Sequence, residues 1–123
     1  MRSPSWFPLA AVLTLGFLAG CKDKEAPPPM PVAEVPQTIN NAFDQASPEA
    51  KAAAAEALKS VQNDEQGAAI EALEALARQT AITPEQREAA ARAAIAVRAK
   101  ILEDAAKGNA AAQAYLDEQR ARK

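Results

Sequence analysis

The sequence predicts an all-α protein: a small, alanine-rich antiparallel array or bundle of helical hairpins, placed after an apolar leader and a proline-rich linker. Three observations carry this. No segment alternates polar and apolar residues with the period of a strand, whereas the segments from Thr38 onward are compatible with a 3.6-residue repeat. Thirty-three of the 123 residues are alanine, the strongest helix former. Helix-starting and helix-stopping chemistry also recurs along the chain, at Ser47-Pro48-Glu49, Thr83-Pro84-Glu85-Gln86 and Lys107-Gly108-Asn109.

Residues 1–20 read as a targeting segment. Met1 and Arg2 give a short positive start, and Trp6 to Phe17 is an apolar run broken only by Pro8, Thr14 and Gly16. A spanning helix needs roughly 20 apolar residues, so the run is a secretory h-region rather than a membrane span. It closes on Leu18-Ala19-Gly20-Cys21, which resembles the lipobox of bacterial lipoprotein signal peptides. The resemblance implies that a signal peptidase reads Leu18, Ala19 and Gly20, cuts before Cys21, and leaves the Cys21 thiol carrying a diacylglyceryl group. Two or more acyl chains anchor a protein stably where one holds it only marginally. The expected location is therefore the bacterial cell envelope, lipid-anchored to a membrane. Lys22 stands where an inner-membrane retention signal would place Asp, which favours the periplasmic face of the outer membrane, although Asp23 follows one place later.

Residues 21–37 form the expected tether. Pro27, Pro28, Pro29, Pro31 and Pro36 lack amide donors and have fixed φ, so polyproline II is the default conformation. At about 3.1 Å per residue the stretch from Cys21 to Gln37 reaches roughly 50 Å. A spacer is the favoured reading, and a docking peptide for an aromatic groove is the alternative.

The helical domain is expected over 38–123, with helices near 38–46, 48–62, 66–81, 84–107 and 109–121. Ser47 supplies an N-cap hydroxyl, Pro48 an N1 residue and Glu49 a first-turn acid; Thr83, Pro84 and Glu85 repeat this, and Gln86 completes a capping box. Asn63-Asp64-Glu65-Gln66 is a polar turn with a cap, and Lys107-Gly108-Asn109 combines a terminal cation, a left-handed stop and a new N-cap. On the third helix Ala69, Ile70, Leu73, Leu76, Ala77 and Thr80 share one side. The second helix offers Ala50, Ala54, Ala57, Leu58 and Val61, and the fourth Ala90, Ala91, Ala94, Ile95, Ile101, Leu102 and Ala105. Short connections favour antiparallel neighbours. With so few large apolar side chains the interior should be thin, and the domain marginal or stabilised by self-association.

The hairpin ending in Gly67-Ala68-Ala69-Ile70-Glu71-Ala72-Leu73 resembles one unit of the tetratricopeptide family. On that register Ala57 and Ala69 take the small positions where the two helices cross, and Leu73 takes the large packing position. The pattern departs at Ala53, Glu56, Ser60 and Leu76, and at Pro84, three residues late. The resemblance implies a protein-binding helical array.

Composition excludes much chemistry. With no histidine and one cysteine, an imidazole base, a Ser-His or Cys-His nucleophile, a zinc cluster and an internal disulfide are ruled out or nearly so. No basic footprint or aromatic platform points to nucleic acid. No cofactor or metal is expected, and no enzyme activity. The remaining catalytic candidates are paired carboxylates, Glu71 with Glu74 and Glu103 with Asp104; both pairs lie off the apolar stripes, where a solvated surface is the plainer reading. Arg98 projects within the stripe of the fourth helix and Arg87 lies on the same line. The pair offers either a site for an anion or acidic partner, or snorkelling stems with their heads at the rim.

Charge divides along the chain: residues 37–90 carry nine acids and four bases, 91–123 four acids and seven bases. The ending Arg120-Ala121-Arg122-Lys123 resembles that of the major murein lipoprotein, which implies peptidoglycan attachment through Lys123, although Pro48, Pro84 and Gly108 interrupt the continuous rod of that family. The expected partners are membrane lipid through Cys21 and an envelope protein or a second copy, with peptidoglycan as the alternative.

Overall fold

The computed structural model describes residues 29–123, so the lipobox residues Leu18, Ala19, Gly20 and Cys21 lie outside the described residues. The chain forms a 3₁₀ turn at Val32–Glu34 and then five helices: α1 (Val35–Ala42), α2 (Pro48–Gln62), α3 (Gln66–Ala77), α4 (Pro84–Ala106) and α5 (Ala110–Ala121). Among the described residues there is no strand.

The N-terminal boundary differs from expectation. Part of the segment assigned to the tether is folded: Met30 is buried, Val35 is fully buried, and helix begins three residues before Thr38. Pro36 explains the difference. In the first turn its missing N–H has no intrahelical partner to lose, so it starts a helix rather than breaking one. Val35, Ile39 and Phe43 then form a single inward stripe on α1.

The expected caps are present. Ser47 Oγ accepts from the Ala50 amide at 3.2 Å. Thr83 Oγ1 accepts from the Gln86 amide at 3.1 Å, while Gln86 Oε1 accepts from the Thr83 amide at 2.9 Å. Asn109 Oδ1 accepts from the Ala112 amide at 2.9 Å. At the C-terminus of α4, Gly108 takes φ +93°, its amide donates to Ala105 O and the Asn109 amide donates to Asp104 O, a Schellman closure. The turn after α2 repeats that closure with Asp64 at φ +61°: its amide donates to Val61 O and that of Glu65 to Ser60 O. Glu65 itself makes no side-chain cap to α3. α3 ends at Ala77, four residues before the expected 81, and Arg87 lies across its exposed carbonyls.

Each of α1 to α4 packs principally on its two neighbours in a closed ring, α1 on α2, α2 on α3, α3 on α4 and α4 back on α1. Cross-links between α3 and α4 establish that they run antiparallel: Gln66 meets Asp104, Glu74 meets Arg98, and the Ala77 carbonyl meets Arg87. The ring encloses one core in which Ile39, Ile70, Leu73, Leu76, Val97 and Ile101 are nearly or fully buried. Ala57 on α2 and Ala69 on α3 are fully buried as well. α5 lies outside the ring, against α4.

Closure by α1 changes which side of α4 is covered. Ala90, Ala94 and Ile101 are buried as expected, but Ala91, Ile95 and Leu102 are exposed. Ala89, Ala93, Ala96 and Val97 are buried in addition. The helix is rotated because it has two neighbours to satisfy, α3 and α1, and most of the additional buried positions are alanine.

Candidate interaction surface

Ile95 and Leu102 are 57% and 54% exposed, and they are the exposed large hydrophobic residues among those described. Seven residues separate them, two turns or about 10.5 Å along the helix. With Ala91 and Arg98 they occur at intervals of four, three and four, a spacing that keeps all of them on one ridge of α4. Beside the ridge a shallow concavity of about 400 Å³ opens between α3 and α4, bounded by Glu74 and Arg78 on one side and Ala91, Ile95 and Arg98 on the other.

Two of the charged side chains along this groove pair with each other. Arg98 Nη2 donates to Glu74 Oε2 at 2.6 Å, with both side chains more than a third exposed. Such a pair contributes about 0.2–1 kcal/mol. Arg98 is therefore neither a buried anion receptor nor a bare cation: its stem borders the ridge and its head is tied to α3. Arg87 is placed otherwise. Its Nη1 donates to the Ala77 carbonyl at 2.6 Å and to the Gln79 carbonyl at 3.2 Å, so it closes the C-terminal end of α3. The two arginines share a line on α4 but serve different contacts, and the structure does not bring them together as one site.

Each carboxylate of the two candidate pairs faces a donor. Glu71 lies 3.9 Å from Arg122, and Glu103 lies 3.3 Å from Lys107. Asp104 accepts from Lys100 at 2.6 Å and from Gln66 at 3.1 Å. The hydrogen bonds from Lys100 and then Gln66 hold the Asp104 carboxyl below its ordinary value, opposite to the shift a general acid needs, and the bond to Asp104 raises the Lys100 ammonium above its own. Among the described residues no group of three or more His, Cys, Asp and Glu side chains could hold a metal ion. Nor is any described helix long and apolar enough to cross a membrane.

At the other end of the α3/α4 pair, α5 is seated by Tyr115, whose ring lies over Gly67 so closely that a Cβ there would stand 2.8 Å from Cδ2 and 2.9 Å from Cε2. Burial in this seat raises the Tyr115 hydroxyl above its ordinary value, with Arg98 pulling the other way. The glycine at the start of α3 thus admits α5. Lys123 is exposed just past α5.

The sequence places Ile95 and Leu102 on the inward face of α4, whereas the structure leaves both exposed as a ridge. The 4-3-4 spacing was visible, but an inward and an outward apolar stripe look alike until the neighbours of α4 are known. Comparison of the chain with protein-family models, curated proteins and solved structures finds no match.

Proposed function

We propose that this chain is a membrane-anchored envelope lipoprotein whose helical domain is a non-catalytic protein-interaction or self-association module. The observation that supports this is the exposed Ile95–Leu102 ridge with the ion-paired groove beside it: large apolar side chains that the ring of helices leaves in water mark a contact surface when they fall on one line. The lipobox at Leu18-Ala19-Gly20-Cys21 supplies the anchoring half of the reading. The tetratricopeptide likeness is kept to the α2/α3 hairpin, where Ala57, Ala69 and Leu73 are fully buried, since α1 closes a ring that an open repeat stack would leave open.

Two measurements test the reading. Mass spectrometry of the protein from membranes should find a chain that begins at Cys21 with its acyl mass, and Cys21→Ala should abolish the modification. A photo-cross-linking residue in place of Ile95 should give a discrete adduct in intact cells, while the same residue at exposed Ala55 on α2 should not; equal patterns at both positions would remove the ridge as the contact surface.

A second reading, a tether from the membrane to peptidoglycan, is favoured by the exposure of Lys123 beyond the last turn of α5. A lipoprotein-linked muropeptide that vanishes when Lys123 is deleted would support it.

A further inference from the structure

We propose that α5 is an autoinhibitory strap: it lifts from the ring of four helices as one unit about Gly108, and while seated it fills half of the α3/α4 groove. The autoinhibition rests on the reading that the open half of that groove is a contact surface; the lifting rests on packing alone.

The core of the ring is complete without α5. The large side chains that are fully buried all come from α1, α3 and α4. From its twelve residues α5 buries Ala112 alone, while Tyr115 and Leu116 are half-buried. Its polar ties to the ring are exposed: Gln113 Nε2 donates to the Ala105 carbonyl at 3.0 Å, and Arg122 lies 3.9 Å from Glu71. A cleft of about 220 Å³, lined by Gln66, Gly67, Ile101, Ala111 and Tyr115, leaves the contact beneath the helix incomplete, and atoms that face a gap lose their dispersion partners. An element held by so little buried surface opens at a fraction of the free energy that unfolds the core. The joint suits that motion. Gly108 stands at φ +93° with nothing within 4 Å of where a Cβ would lie, and Asn109 caps α5 from its own end of the turn, so the helix carries its N-cap with it.

The seat of α5 continues the open groove. Tyr115 lies over Gly67 on α3, and its half-buried hydroxyl is within the field of Arg98, Glu71 and Glu74. Glu74 and Arg98 also bound the open concavity, so the open part ends where the Tyr115 ring begins. Because α3 and α4 run antiparallel, a single groove passes from Ala77 and Ala91, between Glu74 and Arg98, to Gly67 and Ile101. Its open part, from Ala91 to Arg98, is about 10.5 Å long, whereas from Ala91 to Ala105, where Gln113 is tied, the distance is about 21 Å. Lifting α5 therefore doubles the groove and adds the Gly67 cradle, which the Tyr115 ring shows to be shaped for an aromatic side chain. A binder that uses the whole length must displace α5, and one that prefers the open form shifts the chain toward it.

Two measurements test the strap. In native-state hydrogen exchange on the full-length chain with Cys21→Ser, the amides of α5 from Gln113 to Ala121 should exchange together, with one shallow dependence on urea, at least about a hundredfold more often than those of Ile70, Leu73 and Val97. Tyr115→Ala should quicken all of α5 by a common factor. Exchange graded inward from Ala121 would show fraying, and exchange at the rate of the ring would show a docked core helix; either overturns the lifting. The second measurement joins the strap to its seat with Gly67→Cys and Tyr115→Cys, since a Cβ at Gly67 stands 3.8 Å from Tyr115 Cγ. The membrane-anchored chain also carries the photo-cross-linking residue at Ile95. Oxidation should lower the Ile95 adduct about fivefold or more, and reduction should restore it. Failure of the two cysteines to join would contradict the seat, and equal adducts in the joined and reduced forms would overturn the autoinhibition. An Ile95 adduct missing from the parent chain as well would remove the contact surface of the proposed function and the autoinhibition with it, while the exchange pattern would still decide whether α5 lifts.

Discussion

Replacing Gly67 by alanine should have opposite effects depending on whether Tyr115 is present. In a helix, alanine is favoured over glycine by about 0.5–1 kcal/mol because glycine loses more backbone entropy. Here the new methyl would lie 2.8 and 2.9 Å from two ring carbons of Tyr115, well inside contact distance, so the ring and α5 behind it must shift. Overpacking of this kind costs typically about 1–3 kcal/mol. Because Tyr115 is only half-buried and α5 lies outside the ring, relief comes by partial undocking of α5 rather than by distortion of the core. The net expectation for Gly67→Ala is a loss of up to about 2 kcal/mol, with a drop in Tm of about 4–8 °C per kcal/mol for a domain of this size. In a Tyr115→Ala background the clash is gone and the same substitution should gain about 0.5–1 kcal/mol. Urea unfolding of the four proteins followed by circular dichroism yields the coupling directly, and it should be about 1–3 kcal/mol. If Gly67→Ala stabilises both backgrounds equally, the close seating of α5 on α3 is wrong.

Thr83→Ala removes the hydroxyl half of the capping box and should cost about 1 kcal/mol, read as a drop of several degrees in Tm; an unchanged Tm would show that the box contributes nothing. Asp64→Gly should stabilise the fold by about 0.5–1 kcal/mol, because Asp64 holds φ +61° at the end of α2 where glycine pays no Cβ penalty; destabilisation in urea would indicate that the Asp64 carboxylate is needed. The Asp104–Lys100 pair should shape the pH profile at both ends. The Asp104 contribution is complete above the ordinary carboxylate value of 3.8 and lost as pH falls through its lowered folded value. That of Lys100 is complete below 10.5 and lost as pH rises through its raised value. Asp104→Asn should therefore flatten both limbs of a plot of urea midpoint against pH, and a profile unchanged from wild type would refute the pairing. Val35→Asp should unfold or strongly destabilise the domain, since the side chain is fully buried in the segment the sequence had assigned to the tether; a native far-ultraviolet spectrum and Tm would contradict the docking.

That docking also shortens the reach of the tether. With Met30 buried in the domain, nine residue steps separate it from Cys21, and covalent geometry limits them to about 30 Å. Under the proposed anchoring at Cys21, the domain would be held much nearer the membrane than the roughly 50 Å expected when the whole stretch to Gln37 counts as spacer.

Much of the helix map was legible because its signals are local. Ser47, Thr83 and Asn109 cap the helices that follow them, and Gly108 stops α4, through hydrogen bonds spanning a few residues. Such bonds depend on residue type and spacing, which a sequence displays. The stripe of α3 was legible for a similar reason: leucine and isoleucine at helical spacing have few alternatives to burial, and Ile70, Leu73 and Leu76 are buried. Alanine carries no such signal, since it is tolerated in water and in a core alike. Nothing in Ala89, Ala93 and Ala96 announces that they will be buried, and so nothing in the sequence turns Ile95 and Leu102 outward. By itself the sequence determined an all-α chain, most of its helix ends and the absence of imidazole chemistry. The tertiary structure alone decided that the helices close into a ring, that the segment holding Pro31 and Pro36 begins the domain, and which of two apolar stripes on α4 is left to meet water, because each depends on a neighbour distant in the chain.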